Sequence, residues 1–444
     1  MNLRPYQVEI ARAVVASISG GNGLTFSVEI ARQGGKNELS AHLELLLLTL
    51  YLARGGNIIK CSPTFKPQAI ISRERLRQRL DDFGFAGAYR CYLGYIVELG
   101  NARVFFLSAE PTAAVVGHTA DVLLEIDEAQ DVSKEKYSKE FRPMGSATNV
   151  TTILYGTTWD DTTLLEEVKQ NNLELEKKDG IRRHFRYDWQ EVGRYNPDYL
   201  SFVEGERQRL GEDHPLFRTQ YALLPLPGRG RLLSRHQLAL LLGEHPRQAQ
   251  PHPGVTYVAG IDLAGEENAC GNADSTVVTI AEVHTPSPSL PVLKVVEQYH
   301  WTGTPHSQLY LHLVEILTKW RCHRIVVDAT GMGQPIASFL TKEFGSRLIP
   351  FVFTEKSKSE LGFQLLSFIN TNRLKLYRQD GSTQYQETLL ELERARAQYR
   401  AGRTMNFYLD PSEGHDDFLI SLALTVWASK DLAPRAARGS LRED

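Results

Sequence analysis

A lysine-bearing glycine turn lies between an apolar run and a helical segment near the start of the chain. ARQGGKNE (31–38) follows LTFSVEI (24–30) and leads into the apolar-striped helical segment 37–54. The backbone N–H groups of such a turn and the N-terminus of the helix can bind a phosphate, and Lys36 would reach the β- and γ-phosphates of a nucleotide. The residues predicted to line this site are Arg32, Gln33, Gly34, Gly35, Lys36 and Asn37. Taken alone, the turn also fits a simple strand–helix connection.

Two positions of the turn depart from the common nucleotide-binding pattern. Ile30 stands where a first glycine is usual, and Asn37 stands where a Ser or Thr hydroxyl would bind magnesium. An amide oxygen could bind the ion directly or through water, so Asn37 stays a candidate ligand. Arg32 is either a transition-state cation or a partner in a salt bridge on the loop.

An acidic pair closes a later apolar run. VLLEIDEAQ (122–130) places Asp127 at a strand end, where it could hold magnesium, and Glu128 beside it, where it could polarise the attacking water. Burying an unpaired charge is expensive, which favours a functional role over a helix N-cap. Gln7 could reach the adenine edge, and Thr157 in ILYGTTWDD could sense the γ-phosphate. Together these segments predict a site for ATP and Mg²⁺.

A second group of acids lies in the other half of the sequence. Asp262 is embedded in YVAGIDLAG, Asp328 ends RIVVD, and Asp416 and Asp417 precede FLISLALTVW. Carboxylates delivered by three distant segments could bind two Mg²⁺ or Mn²⁺ ions, which is the arrangement that hydrolyses phosphodiesters. Asp274 could add a ligand. Each acid could instead have a purely structural role as a turn or helix cap. The role of His415 stays open.

The elements that position these residues predict an α/β chain of several domains. Strands alternate with helices up to residue 158, which favours a parallel sheet covered on both faces. Three strands over 256–301, followed by strand–helix units, predict a ribonuclease-H-like mixed sheet. Strand alternation puts Val258, Gly260 and Asp262 on one face. The predicted boundaries are a P-loop ATPase core at 1–170, a connecting subdomain and linker at 171–254, a nuclease domain at 255–432 and a mobile tail at 433–444.

Composition narrows the class of protein. The 444 residues are 42% hydrophobic and 23% charged, which is typical of globular domains. The four cysteines form no CxxC pair, which argues against a zinc site or disulfide framework and favours a reducing cytoplasm. The first residues lack an apolar signal segment, and LELLLLTLYL (43–52) is too short to span a bilayer. We therefore expect no membrane association.

Net charge constrains any contact with nucleic acid. The formal net charge is -3, so DNA binding would depend on local basic stretches and should weaken steeply with salt, without sequence preference. The basic stretches are 66–79, 228–235, 356–358 and 394–403. Each of them also fits a solvated helix face.

Taken together, the motifs resemble those of the large terminase subunit of tailed bacteriophages. RQGGKNE resembles that family's variant Walker A loop, LLEIDEAQ its Walker B strand, LYGTT its coupling motif, and GIDLAG, DST, IVVDATGMG and GHDD its nuclease motifs. The resemblance implies an additional-strand P-loop ATPase followed by a ribonuclease-H-like nuclease. It assigns the phosphates to Lys36, magnesium to Asp127 and water activation to Glu128. It assigns the nuclease metals to Asp262, Asp328, Asp416 and Asp417.

The same resemblance implies partners and a setting. These are double-stranded DNA, a portal protein and a small terminase subunit, with the chain monomeric alone and oligomeric on the portal, in the cytoplasm of the host cell. One departure is that VVGHTAD, before the Walker B strand, offers no arginine that could act in trans. Two other functions stay open: a helicase-nuclease or junction-resolving enzyme of DNA repair, and a DNA-binding scaffold with a decayed ATP loop.

Overall fold

The computed structural model describes residues 3–264, 275–285, 290–400, 402–430 and 432. The chain divides into two compact units, one of Met1–Gly205 with Pro215–Gly228, the other of Glu206–His214 with Arg229–Asp444. Residues 171–254, predicted as a connecting subdomain and linker, are thus shared between the two units. The predicted tail at 433–444 and the candidate ligand Asp274 lie outside the described residues.

The first unit alternates strands and helices. Its strands are β1 (Thr25–Ile30), β2 (Gly56–Ser62), β3 (Tyr89–Tyr92), β4 (Ile96–Leu99), β5 (Ala102–Ser108), β6 (Leu123–Ile126), β7 (Thr151–Gly156) and β8 (His184–Tyr187). Its helices are α1 (Pro5–Ser19), α2 (Lys36–Leu50), α3 (Ile70–Asp82), α4 (Lys134–Lys136), α5 (Leu164–Asp179), α6 (Trp189–Gly193), α7 (Pro197–Leu210), which runs on into the second unit, and α8 (Pro215–Gln220). Short 3₁₀ or π turns occupy Phe65–Ala69, Ala129–Asp131, Tyr137–Phe141 and Arg142–Gly145.

Among the described residues the strands of the first unit form one sheet in the order β3-β4-β5-β2-β6-β7-β1-β8. All neighbours from β5 to β8 pair in parallel, and only the β3–β4 hairpin adds antiparallel pairs at one edge. Strand β7 lies between β1, which leads into the glycine turn, and β6, which leads into the acidic pair. That insertion is the additional strand that the family resemblance implies, so this part of the predicted fold is confirmed.

The hairpin β3–β4 was not predicted from the sequence. A three-residue loop connects its strands, with Leu93 at φ 52° and Gly94 at φ 76°. Such loops favour a glycine in the left-handed conformation, but leucine rarely adopts a positive φ. Only Gly94 of this loop therefore matches the sequence pattern that usually predicts such a turn.

The second unit follows with its own set of elements. Its strands are β9 (Arg229–Arg231), β10 (Thr256–Asp262), β11 (Ser275–His284), β12 (Val292–Thr302), β13 (Arg324–Asp328), β14 (Leu348–Phe351), β15 (Leu374–Lys375), β16 (Arg396–Arg400) and β17 (Thr404–Tyr408). Its helices are α9 (Arg235–Leu241), α10 (His306–Trp320), α11 (Gln334–Phe344), α12 (Glu355–Asn370), α13 (Thr383–Arg394) and α14 (Asp417–Ala428). Short 3₁₀ turns occupy Gly331–Gly333 and Gly345–Arg347.

Within the described part of the second unit, the larger sheet has the order β14-β13-β10-β11-β12-β15 and a smaller antiparallel sheet has the order β17-β16-β9. Strands β10, β11 and β12 are antiparallel neighbours, whereas β13 and β14 add in parallel beside β10. This mixed sheet agrees with the predicted ribonuclease-H-like order. Its two faces bury separate cores: Val258 packs with the apolar residues of α14, while Ala259 and Ile261 pack with α10 and α11.

Among the described residues, none of the helices combines the length and the apolar character that a bilayer crossing needs. The segment 43–52 covers the second half of α2 and the two residues after it, and its side chains Leu46 and Leu50 are exposed. Leu43, Leu47 and Leu48 are buried in this segment.

Candidate active sites

The glycine turn bends sharply at two positions. Gly35, which precedes α2, has φ 92°, and Gln33 has φ 59°, so both lie in the left-handed region. A Cβ on Gly34 would come within 2.5 Å of Ile30 Cγ2 and 2.8 Å of the Ala31 carbonyl oxygen. The turn therefore needs glycine at both Gly34 and Gly35, the first for close approach and the second for its backbone angle.

Three polar side chains fix the carbonyl groups of this turn. Tyr6 donates its hydroxyl to the Gly34 carbonyl at 2.6 Å, Gln7 donates its amide to the Gly35 carbonyl at 2.8 Å, and Tyr199 donates to the Arg32 carbonyl at 3.1 Å. The N–H groups of Arg32 and Gly34 donate to the Gln220 and Ala31 carbonyls. The first N–H groups of α2, which have no acceptor within the helix, can bind an anion beside the turn.

The amide of Gln7 is engaged at both of its ends. Its oxygen accepts from the Arg4 backbone N–H at 2.8 Å, in addition to the bond that its nitrogen donates to the turn. The structure thus gives Gln7 a supporting role, and its contact with adenine stays a prediction. Arg32 likewise donates to Gln220 Oε1 at 2.5 Å.

Lys36 opens α2 and is only 8% exposed. Its Nζ lies 3.6 Å from Glu128 Oε1 and 3.4 Å from the Ile30 carbonyl oxygen. A cleft of about 480 Å³ is lined by Arg32, Gln33, Gly35, Lys36, Asn37, Arg75 and Glu128. The structure thus brings the glycine turn and the acid predicted to activate water to one cleft, although they are far apart in the sequence.

Arg75 is a member of this cleft that sequence reasoning assigned elsewhere. It lies on α3, in a basic stretch predicted to contact DNA, and its guanidinium is 3.5 Å from Glu38 Oε2. Arg75 is therefore the third cationic side chain of this cleft, after Arg32 and Lys36. The spacing of residues in the sequence could not predict that Arg75 lines this cleft, because α3 approaches the turn through a tertiary contact.

Asp127 and Glu128 follow directly on β6. Burial raises the pKa of Asp127; Lys60 and Lys36 oppose this rise, while Glu128 adds to it. Asp127 Oδ1 accepts from the Glu128 backbone N–H at 3.0 Å. A buried carboxylate that is stabilised by lysines and oriented by a backbone N–H suits a magnesium ligand.

Gln130 connects Glu128 to the end of β7. Its amide nitrogen donates to Glu128 Oε2 at 2.6 Å, and its oxygen accepts from the Thr157 backbone N–H at 3.3 Å. The Thr157 hydroxyl is buried with no hydrogen-bond partner in the described part of the chain. An orphaned buried hydroxyl costs free energy unless something bonds to it, so Thr157 fits contact with a nucleotide. The sequence pattern did not single out Gln130.

In the second unit, two of the predicted metal ligands end neighbouring parallel strands. Ile261 pairs with Val327, and the next residue on each strand is Asp262 or Asp328. Both carboxylates therefore lie at the carboxyl edge of one sheet. Asp328 Oδ1 also accepts from the Thr330 backbone N–H at 2.8 Å.

Helix α14 brings the remaining acids to this edge. A Cβ on Gly260 would lie 2.3 Å from both the Ser421 carbonyl oxygen and the Thr425 nitrogen, so the backbones of β10 and α14 are in contact there. Ser421 Oγ donates to the Gly260 carbonyl at 3.0 Å. One helical turn before Ser421 lies Asp417, and this close packing places its carboxylate near Asp262.

The pKa of Asp262 reflects the nearness of the other acids. Burial raises its pKa well above the ordinary range, and the charges of Asp417, Asp328 and Asp416 raise it further. Burial likewise raises the pKa of Glu391, to about 9, although its carboxylate accepts from the Leu419 backbone N–H at 2.8 Å. Partly buried carboxylates that repel one another in this way are stabilised when a cation binds among them.

Among the described residues, the four predicted aspartates are not arranged as a complete set of metal ligands. In the part of the chain that the structure describes, no three His, Cys, Asp or Glu side chains are grouped so that they could hold a metal ion. Asp417 Oδ2 accepts from the Ser275 backbone N–H at 2.7 Å, so one carboxylate is turned toward β11. The all-oxygen donor set fits Mg²⁺ or Mn²⁺ in kind, and binding would require the carboxylates to draw together. The assignment of all four residues as metal ligands stays a prediction.

A cleft of about 290 Å³ borders Asp417, whereas Asp262, Asp328 and Asp416 are not part of its lining. Its lining includes His300, Glu387, Glu391, Glu413, His415 and Asp417. The cleft therefore places His415, whose role was open, on the same side as Asp417.

Neither protein-family models nor curated proteins match the sequence. Among solved structures, a large terminase from a thermophilic bacteriophage matches with a TM-score of 0.55 at 12% identity, covering 98% of this chain and 100% of that chain. The complex of that terminase with ADP matches with a TM-score of 0.52 at 12% identity, covering 97% of this chain and 100% of that chain. Its complex with ATP-γ-S matches with a TM-score of 0.51 at 12% identity, covering 96% of this chain and 99% of that chain. At this identity the likeness concerns the fold, and the chain has the fold of bacteriophage large terminases.

Proposed function

We propose that this protein is a viral DNA-packaging motor. Its first unit would hydrolyse ATP to translocate double-stranded DNA into a procapsid, and its second unit would cut concatemeric DNA with a two-metal nuclease. The observation that carries the proposal is the presence of both sites in one chain. Lys36 lies 3.6 Å from Glu128 in the first unit, and Asp262 and Asp328 end neighbouring parallel strands of the second.

For the ATPase, the glycine turn and Lys36 would bind the phosphates, while Asp127 and Asn37 would hold Mg²⁺. The ion would screen the charge on the phosphates. Glu128 would orient and polarise the attacking water, and Gln130 would hold Glu128 against the Thr157 segment. The large terminase from the thermophilic bacteriophage was solved with ADP and with ATP-γ-S, which supports ATP as the nucleotide here.

For the nuclease, Asp262, Asp328, Asp416 and Asp417 would bind Mg²⁺ or Mn²⁺. Bound metal would lower the pKa of a water molecule and stabilise the leaving oxygen. Asp262 and Asp328 would bind the ions from the ends of neighbouring parallel strands, and Asp417 would bind them from the start of α14.

The partners proposed for the motor are double-stranded DNA, a portal protein and a small terminase subunit. Several chains would surround one DNA on the portal, whereas the free protein would be a monomer in the cytoplasm of the host cell. Contact with DNA would use the local basic stretches, because the net charge of the chain is -3. Such binding should fall steeply as salt rises.

The alternative of a helicase-nuclease is less well supported. A helicase of that kind would need a second parallel-sheet motor domain, and the described part of the second unit instead contains the mixed sheet β14-β13-β10-β11-β12-β15. Only Ile30 and Asn37 support the alternative of a DNA-binding scaffold with a decayed ATP loop. The intact glycine turn, with Lys36 beside Glu128, argues against it.

The test is a plasmid-cleavage assay with and without Mn²⁺, run beside ATPase measurements on the same preparation. We expect Glu128→Gln to lower ATP turnover by about 10²-fold or more while nucleotide binding is retained, because the water loses its general base. Asp262→Asn should abolish cleavage and leave ATPase activity intact, so each variant is the other's control. Absence of Mn²⁺-dependent cleavage, with Asp262→Asn indistinguishable from the wild type, would count against the nuclease.

A further inference from the structure

A buried ion cluster lies in the interior of the first unit, separate from the groups assigned to ATP above. Lys60 on β2 is 2% exposed, and Glu44 on α2 and Glu125 on β6 are fully buried. Lys60 Nζ lies 3.1 Å from Glu44 Oε1 and 3.9 Å from Glu125 Oε2. Ser40 Oγ accepts from Lys60 at 2.6 Å and is 2.8 Å from Glu125 Oε2, to which it donates.

Stability alone does not account for this cluster. Replacing a buried ion pair with apolar residues of similar volume is often neutral or stabilising, and most of the other buried residues of β2 and β6 are apolar. In addition, Glu44 Oε2 is buried without a hydrogen-bond partner among the residues that the structure describes, which costs free energy. A role in the neighbouring nucleotide site would explain why these charges lie inside the unit.

Two elements of the cluster also carry residues of the nucleotide site. Glu125 lies two positions before Asp127, and Asp127 continues the strand pairing by donating its N–H to the Cys61 carbonyl at 2.8 Å. Residues two apart share one face of a strand, so Glu125 and Asp127 both face Lys60. On α2, Ser40 lies one helical turn after Lys36.

A fourth element, β7, reaches the cluster from the side of β6 opposite β2. Tyr155 on β7 is 1% exposed and donates its hydroxyl to Glu125 Oε1 at 3.1 Å. Two residues later on the same chain stands Thr157, which is tied through Gln130 to Glu128. The cluster thus joins the helix after the glycine turn, the strand of the acidic pair and the strand that leads to Thr157.

On the basis of the proposed ATPase, we infer that Lys60, Glu44 and Glu125 form a positioning network for Asp127. Lys60 holds β2 against α2 and β6, which fixes the Asp127 carboxylate relative to Lys36. Tyr155 extends this restraint to the Thr157 side of the site. The network would not touch ATP, so its members are positioning residues that act through Asp127.

The mildest test is Tyr155→Phe, which removes one hydroxyl and keeps the ring. We expect kcat for ATP hydrolysis to fall roughly tenfold, as small misplacements of catalytic groups produce, and the Mg²⁺ concentration for half-maximal activity to rise. Affinity for a fluorescent ATP analogue should fall in the presence of Mg²⁺ and stay unchanged in EDTA. The matched control is Tyr137→Phe, a buried tyrosine of the same unit, which should leave all four measurements unchanged.

A triple variant separates positioning from stability. Lys60→Met with Glu44→Gln and Glu125→Gln removes all three charges, so no unpaired charge is left buried. We expect its melting temperature to be close to that of the wild type, while its Mg²⁺ requirement stays raised. Wild-type kcat and Mg²⁺ dependence in either Tyr155→Phe or the triple variant would overturn the inference. Absence of ATP hydrolysis by the wild-type protein would instead refute the proposed function itself.

Discussion

Glu128 has φ 45°, and Gln33 in the glycine turn has φ 59°. Both angles lie in the left-handed region, which residues other than glycine seldom adopt and which tends to occur at functional sites. Each residue lines the same cleft beside Lys36. Gln130 stabilises the unusual position of Glu128 with a bond of 2.6 Å. At this scale the proposed nucleotide site is held in place by hydrogen bonds from Tyr6, Tyr199 and Gln130.

His214 allows a prediction about acid stability at the same scale. Its ring is fully buried, Nε2 lies 3.0 Å from the Phe363 carbonyl oxygen, and burial lowers its pKa from 6.5 to about 4. Below pH 6.5 the unfolded chain binds a proton that the folded protein does not, so stability falls as the pH falls toward 4. A shift of this size corresponds to about 3 kcal/mol in total.

The measurement is the urea unfolding midpoint at several values between pH 7 and pH 4. His214→Gln keeps a donor for the Phe363 carbonyl and removes the titration, so its midpoint should depend less on pH than that of the wild type. Parallel curves for the two proteins would show that His214 does not carry this dependence.

At the scale of elements, the contact between β10 and α14 positions the acids of the candidate nuclease site. Sequence alternation correctly put Val258, Gly260 and Asp262 on one face, and the structure packs that face against α14. Ser421 and Thr425 add hydrogen bonds to β10 and β11, with Thr425 donating to the Thr279 carbonyl at 3.2 Å. The helix is thereby fixed in a position that brings Asp417 to the sheet edge.

We predict that Gly260→Ala destabilises the second unit and impairs cleavage. The new Cβ would lie 2.3 Å from two backbone atoms of α14, so the helix must shift, at a cost of about 1–3 kcal/mol or more. Asp417 would move with it, and Mn²⁺-dependent plasmid cleavage should fall even where the protein stays folded. Thermal unfolding and the cleavage assay measure the two effects.

Gly205→Ala is the control for this substitution. Gly205 lies in α7, and a Cβ there meets no atom within 4 Å. Alanine should be neutral or stabilise the helix by up to about 1 kcal/mol. If Gly260→Ala behaved in the same way, close backbone packing would not be what positions α14.

At the scale of the whole molecule, the two units are not consecutive in the sequence. The segment Glu206–His214 belongs to the second unit although Pro215–Gly228 returns to the first. Ser367 donates its hydroxyl to the Arg209 carbonyl at 2.7 Å, and Gly211 packs against Asn370 so closely that a Cβ would come within 2.6 Å. A boundary drawn at residue 254 therefore separates this segment from the helix on which it packs.

This arrangement predicts how fragments of the second unit should behave. A fragment of residues 206–432 should unfold cooperatively, whereas one of residues 229–432 lacks the segment that covers Phe363 and Asn370. We expect the shorter fragment to be less stable by several degrees in melting temperature, since 1 kcal/mol shifts a domain of this size by roughly 2–4 °C. Circular dichroism during heating gives the comparison, and equal melting temperatures would contradict the expected role of 206–214.

The sequence by itself determined the local elements that carry the chemistry. Apolar runs that end in acids predicted β6, β10 and β13, and the glycine turn predicted the start of α2, with boundaries within a few residues of those observed. These predictions succeeded because burial periodicity and turn chemistry act between residues close in the chain. The acids at the ends of those runs, Asp127, Asp262 and Asp328, could therefore be chosen from the local pattern alone.

Only the tertiary structure decided which distant residues meet. Lys60 joins Glu44 and Glu125, Gln7 supports the glycine turn, and Gly260 touches α14 across 161 positions of sequence. Periodicity reports that a residue is buried, but it does not identify the partner that covers it. Those pairings follow from strand order and helix packing, which depend on the free energy of the whole fold, and no single segment encodes them.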